Sequence, residues 1–141
     1  LIKDCAEKFG SQCVVVAIDG RREADGSWHV YVAGGRKDTG KDLIEWAKEA
    51  VALGAGEILL TSMDKDGTKS GFDVDMLNAV ASMVDVPIIA SGGAGNKEHM
   101  VEVFQQTPAT GALAASIFHF GEVSIAETKQ AMKEAGIEVR L

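Results

Sequence analysis

Residues 64–71 carry the densest group of chemically active side chains, because two carboxylates, two hydroxyls and two glycines share one short segment. The apolar run at residues 57–62 predicts a buried strand before it, so the segment is a strand-end loop. A carboxylate there can exchange protons with a ligand, and Gly67 would let the backbone approach that ligand closely. Asp64 and Asp66 could instead pair around a metal ion, but Asx-turn structure explains at least one of them more simply.

Three further segments repeat this pattern of an apolar strand that ends in a polar or glycine-rich loop. They are residues 14–20, 87–93 and 111–116. Four strands therefore deliver functional groups to one edge of a sheet. Asp19 and Thr61 are expected to face that edge from the ends of two of these strands.

The last two strand ends predict a phosphate site. Ser91, Gly92 and Gly93 follow one strand, where glycine leaves backbone N–H groups open to an anion, although such a tripeptide alone is more often a plain turn. Ala115 and Ser116 end the next strand, and the residues after them favour a short helix whose N-terminus points at the same anion. The two strand ends together predict a phosphate cradle.

Helix-forming patterns separate the strands. Amphipathic spacing predicts helices over residues 41–53, 73–83, 96–105 and 124–135, and residues 1–9 fit the end of another helix. The connection between residues 20 and 39 is the exception. Its residues 28–32 alternate in polarity and predict a small hairpin over the rim.

Alternating strands and helices indicate an α/β fold with a parallel sheet covered by helices. An open doubly wound sheet and a β/α barrel both fit, and the barrel is favoured because every strand end carries functional groups. A closed barrel needs eight units and typically about 250 residues. The predicted fold is therefore half of a (βα)8 TIM barrel, with four parallel strands each followed by a helix, in one domain over residues 1–141. Its open edges predict pairing with a second copy or with the missing half, rather than a stable monomer.

Composition narrows the classes of partner. The chain has 141 residues, a formal charge of −7 and a pI near 4.9, which argues against nucleic-acid binding. No signal peptide and no long apolar run is visible, so we expect no membrane association and a cytoplasmic location. Cys5 and Cys13 have neither metal-ligand spacing nor a disulfide framework, which fits a reducing compartment. A start at Leu1 instead of Met suggests a segment of a longer protein.

The motifs together resemble the carboxyl-terminal half of the cyclase subunit of imidazole glycerol phosphate synthase, beginning in the helix before the fifth strand. The resemblance covers nearly the whole chain, and the amino-terminal half-barrel of the family is missing. The matching runs are residues 14–19, 39–40 with Trp46, 54–62, 64–73, 91–95 and 114–120.

The resemblance implies a barrel that combines ammonia with phosphoribulosyl-formimino aminoimidazole carboxamide ribonucleotide, without metal or organic cofactor, in histidine biosynthesis. Ammonia would come from a glutaminase subunit docked at the opposite end. Asp19 matches one of the family's two catalytic aspartates, whose partner lies on the first strand, outside this chain. Asp66 matches a substrate-binding position. We therefore expect the isolated chain to bind a phosphorylated small molecule but to be nearly inactive.

Two other interpretations remain open from the sequence. The sister isomerase of the same pathway has a comparable strand-end aspartate, although residues 114–120 and the long connection after Gly20 fit the cyclase better. The chain could also be a noncatalytic, self-assembling phosphate-binding half-barrel. For Asp19 considered alone, a buried structural aspartate that caps the next loop is the competing interpretation.

Overall fold

The computed structural model describes residues 1–10, 14–32, 37–113 and 125–137. Within these residues six strands form one sheet in the order β3-β2-β1-β4-β5-β6. The strands are β1 (Val15–Arg22), β2 (Trp28–Val32), β3 (Lys37–Asp42), β4 (Glu57–Ser62), β5 (Ile88–Ser91) and β6 (Gly111–Leu113). The helices are α1 (Ile2–Phe9), α2 (Leu43–Ala52), α3 (Val74–Ala81), α4 (Lys97–Gln106) and α5 (Ile125–Glu134).

The four predicted strands β1, β4, β5 and β6 are present and lie side by side. Each adjacent pair among them is parallel. Helices α2, α3 and α4 connect them, so the prediction of parallel β/α units is confirmed. Such a sheet is a segment of a barrel-like structure and not a closed barrel.

The connection after β1 differs from its prediction. It forms a hairpin, as expected, but β2 and β3 extend the sheet as antiparallel strands instead of lying over the rim. The prediction also began α2 at Lys41, whereas residues 37–42 form β3. Helix α2 starts at Leu43 because the side chain of Asp42 accepts a hydrogen bond from the backbone N–H of Glu45.

The other described helices agree with the sequence patterns to within about two residues. The side chain of Asp73 accepts a hydrogen bond from the N–H of Met76 at the start of α3, and Asn96 accepts one from His99 at the start of α4. Each cap fixes where its helix begins after a strand-end loop. The loops therefore have defined endpoints on the scaffold.

The two faces of the parallel sheet have opposite exposure. Ile18, Ile58 and Leu60 alternate onto the face that packs against the helices, and each is at most 1% exposed. Burial of such side chains contributes about 1.5–3 kcal/mol each, so this face holds the core. The other face is open, with Val15 and Leu113 exposed by 52% and 50%. Its apolar residues are what the interior of a closed barrel would contain.

Among the described residues, none of the helices combines the length and the apolar character needed to cross a membrane.

Candidate functional site

Asp19, Thr61 and Ser91 form one row across the open face of the sheet. Asp19 pairs with Thr61 in the β1–β4 register, and Thr61 pairs with Ser91 in the β4–β5 register. Paired residues of parallel strands point to the same side, and neighbouring strands lie about 4.8 Å apart. The backbones of Asp19 and Ser91, at the two ends of the row, are therefore roughly 10 Å apart, which is the span of a small metabolite. The sequence predicted all three side chains at this edge.

Asp19 is a partly buried carboxyl group with a second carboxylate nearby. Burial raises the pKa of Asp19 above its ordinary value of 3.8, and the charge of Asp66 raises it further. Asp66 itself lies in the acidic loop, by which we mean residues 64–71, and is exposed. The arrangement favours a protonated Asp19 at higher pH than an isolated aspartate would show, as a proton donor requires.

Hydrogen bonds at the end of β4 hold the acidic loop in place. The backbone N–H of Asp66 donates to the carbonyl of Ser62 at 2.9 Å. The fully buried Ser62 hydroxyl donates to Asp73 at 3.0 Å, which ties the loop to the cap of α3. Asp64 accepts a 2.8 Å hydrogen bond from the backbone N–H of Arg22, so it joins the loop to β1. Gly67 has φ +78° with open space where a Cβ would lie, a conformation that favours glycine.

The glycine loop, residues 92–95, packs directly against the acidic loop. Gly71 N–H donates to the Gly93 carbonyl at 2.8 Å. A Cβ on Gly92 would lie 2.6 Å from the carbonyl oxygen of Ser62, so that position has no room for a side chain. At the end of the loop, Gly95 N–H donates to His99 Nδ1 at 2.9 Å. Both loops are thus fixed as one unit at the carboxyl ends of β4 and β5.

The structure brings most of the sequence-predicted site together. Asp19, Thr61 and Ser91 share a row, while Asp66, Gly67, Gly92 and Gly93 lie in the two packed loops. Ala115 and Ser116 lie outside the described residues, so their place in the phosphate cradle stays a prediction.

Sequence reasoning missed the supporting roles of Ser62, Asp73 and His99. Asp73 was identified only as the start of a helix, although it also accepts the Ser62 hydroxyl. Nothing in the sequence indicated a site role for His99, whose Nδ1 accepts a hydrogen bond from the glycine loop. The sequence shows a polar residue at the end of β4, Ser62, and a capping residue before α3, Asp73. Nothing in the sequence showed that these two side chains meet.

Comparison with known proteins gives a consistent result. A family model described as histidine biosynthesis protein matches residues 1–124. The chain is similar to imidazole glycerol phosphate synthase subunit HisF of Streptococcus mutans, with 85% identity over 140 residues, which is 99% of this chain and 56% of the relative.

Two other relatives have the same name. The protein of Streptococcus sanguinis is 74% identical over 141 residues, and that of Streptococcus gordonii is 72% identical over 141 residues. Each match covers 100% of this chain and 56% of the relative. The chain therefore spans about half the length of the curated relatives that it matches.

Proposed function

Since the chain belongs to the histidine biosynthesis protein family, we propose that it is the carboxyl-terminal half of a (βα)8 barrel with the cyclase activity of imidazole glycerol phosphate synthase. The observation that carries this proposal is the row of Asp19, Thr61 and Ser91 on the open face, beside the two packed loops. Parallel barrels place their reactive groups at this end of the strands. The similarity to HisF proteins is the basis for the reaction that we propose.

In this proposal Asp19 transfers protons during ammonia addition and ring closure. The nitrogen of ammonia bonds to two carbons of the substrate: the ribulosyl ketone carbon, which loses its oxygen as water, and the formimino carbon, which loses aminoimidazole carboxamide ribonucleotide as an amine. The leaving amine and the leaving oxygen must both take up protons. The raised pKa of Asp19, caused by burial and by Asp66, supports its action as the donor. A second aspartate from the absent first strand would assist the attack of ammonia on the other side, so this chain alone is expected to be nearly inactive.

The glycine loop supplies the proposed phosphate contact. Gly92 and Gly93 have φ +93° and +115° and are buried, Gly92 against Ser62 at the end of β4 and Gly93 against the acidic loop. Ser91 adds a hydroxyl beside them, and Ser116 would complete the cradle from the next strand. Backbone N–H groups can bind a phosphate without nearby cations. This suits an acidic chain that has to bind a doubly phosphorylated substrate.

The open face supports completion of the barrel by a further four β/α units. In the described part of the chain, β2 pairs only with residues 19–22 of β1, so the first half of that edge has no partner there. The exposed Val15 and Leu113 add an apolar surface. An amino-terminal half of the same protein would cover both edges, and a glutaminase subunit would deliver ammonia from the amino ends of the strands.

Phosphate binding can be measured on the chain itself. We expect saturable, localised chemical-shift changes in the acidic and glycine loops when inorganic phosphate or ribose 5-phosphate is added. Sodium chloride at equal ionic strength controls for charge screening. Absence of any localised response at millimolar ligand would contradict the phosphate site, whatever the activity of the complete barrel.

The catalytic proposal is tested by restoring the missing half. The chain is mixed with the part of the Streptococcus mutans relative that it does not match, and the mixture is supplied with ammonium ions and the ribonucleotide substrate. We expect cyclase turnover in the mixture and nearly none in either half alone. Isomerase turnover would favour the sister enzyme, and a folded assembly without either activity would favour a noncatalytic half-barrel.

A further inference from the structure

The hairpin beside the rim carries a cluster of three ligand-type side chains outside the proposed site. Glu23 follows β1, His29 lies in β2 and Asp38 lies in β3. One ligand atom from each of the three lies within 4.8 Å of the other two. We refer to these three residues as the hairpin cluster. Its members come from three neighbouring parts of one hydrogen-bonded sheet, so the strands set their positions.

We propose that the hairpin cluster binds one divalent transition-metal ion, such as Zn²⁺, through Glu23, His29 Nδ1 and Asp38. His29 Nδ1 lies 3.4 Å from Glu23 Oε1 and 3.1 Å from Asp38 Oδ2. Zinc bonds to nitrogen and oxygen are about 2.1 Å long, which puts tetrahedral ligand atoms roughly 3.4 Å apart. The distances from His29 Nδ1 to the two carboxylate oxygens therefore match two ligand-to-ligand edges of a zinc tetrahedron.

Further hydrogen bonds hold both carboxylates in position. Tyr31 donates its hydroxyl to Glu23 Oε1 at 3.0 Å. The backbone N–H of Gly40 donates to Asp38 Oδ1 at 2.8 Å. The backbone of Glu23 is fixed as well, because its N–H donates to the Ser27 carbonyl at 2.7 Å. Outer contacts of this kind orient the ligands of protein metal sites.

The charges of the cluster favour a cation at its centre. In the part of the chain that the structure describes, His29 is the only cationic group within ion-pair distance of either carboxylate. Both carboxylates face Nδ1 of His29, so they attract positive charge to that position. A divalent ion would replace the Nδ1 proton, which passes to the buffer, and would neutralise both carboxylates.

The ligand set selects the class of metal. One imidazole and two carboxylates suit zinc and related first-row ions, whereas calcium and magnesium prefer all-oxygen sites. The remaining coordination positions would be taken by water, since His29 and Glu23 are about one third exposed, at 30% and 28%. The bound ion would fasten β2 and β3 to the end of β1, four residues beyond Asp19.

The test is a calorimetric titration of the 141-residue chain with Zn²⁺. We expect one ion per chain, proton release seen in two buffers of different ionisation enthalpy, and amide shift changes centred on residues 22–40. His29→Gln and Asp38→Asn should each weaken the affinity by more than about 10-fold, and Tyr31→Phe by about 10-fold through loss of its contact to Glu23.

Asp25→Asn is the matched charge control, because it removes one negative charge near His29 from the same hairpin and keeps all three ligands. The Asp25 side chain makes its hydrogen bonds to Ser27. This variant should bind Zn²⁺ much more tightly than His29→Gln or Asp38→Asn does. An affinity that is equal in the unmodified chain, His29→Gln and Asp38→Asn would assign the ion to another location and overturn the proposal. So would the absence of binding at millimolar Zn²⁺. Circular dichroism confirms that each variant is folded.

Discussion

Gly93→Ala is expected to lower the free energy of unfolding by about 3–5 kcal/mol. Gly93 has φ +115°, where a side chain is strained, and a Cβ there would overlap the carbonyl group of Gly71, with its carbon only 2.7 Å away. The carbonyl oxygen and carbon of Gly71 both belong to the backbone, so neither can move aside without displacing a loop. The measurement is urea unfolding of the variant and the unmodified chain, followed by circular dichroism.

Substitutions at two other glycines distinguish the two causes of this loss of stability, which are the positive φ and the close backbone contact. Gly67 also has a positive φ, +78°, but no atom lies within 4 Å of its Cβ position, so Gly67→Ala should cost only about 1–2 kcal/mol. Gly95 lacks a positive φ, but its Cβ would lie 2.8 Å from the carbonyl carbon of Lys69. Gly95→Ala therefore tests the close approach alone. If Gly93→Ala were no more costly than Gly67→Ala, the two loops would not be packed as the structure has them.

The same packing explains why phosphate binding should depend on the acidic loop. Gly71 donates a hydrogen bond to Gly93, so the acidic loop supports the glycine loop that is proposed to bind phosphate. A Gly71→Ala chain that stays folded should bind phosphate weakly, because the strain at φ +109° falls on the loop that supports Gly93. Separate loops would each tolerate substitution without effect on the other.

Much of the scaffold could be predicted because local patterns determine it. Apolar runs identified the parallel strands, and capping residues such as Asn96 located helix starts, since both signals depend on near neighbours in the chain. Equal strand spacing then placed Asp19, Thr61 and Ser91 at one edge. The sequence could not show that β3 occupies residues 37–42, because that strand exists only through pairing with β2.

The electrostatics of the site depended on contacts that no local pattern reveals. The family resemblance implied a second aspartate, outside this chain, as the partner of Asp19, whereas the structure adds Asp66, which is distant in sequence, as a nearby charge. His29 showed no ligand partners in the sequence, because Glu23 and Asp38 approach it only when the hairpin forms. The sequence therefore indicated where these residues lie, and tertiary folding adds the neighbouring charges and ligand partners that set their chemistry.

In the restored barrel, Asp19→Asn is expected to reduce kcat/KM for cyclisation by about 10³-fold, a typical loss for a general acid or base. The substitution keeps the size of the side chain but cannot transfer a proton. Phosphate binding should not change, because Asp19 lies outside the glycine loop. The matched control is Asp85→Asn, an exposed position before β5 at the opposite ends of the strands, which should retain full activity.

Asp19→Asn, which lowers activity, should leave stability unchanged or raise it. The folded state raises the pKa of Asp19, so the ionised carboxylate is disfavoured by folding and works against stability at neutral pH. Asp19→Asn should therefore unfold at an equal or higher urea concentration at pH 7. Asp66→Asn should lower the pKa of Asp19, followed by carboxyl NMR, because it removes one of the two causes of the increase. An Asp19→Asn barrel that is both less stable and partly active would identify Asp19 as a structural cap, whereas gained stability with lost turnover is the signature of a group held for proton transfer.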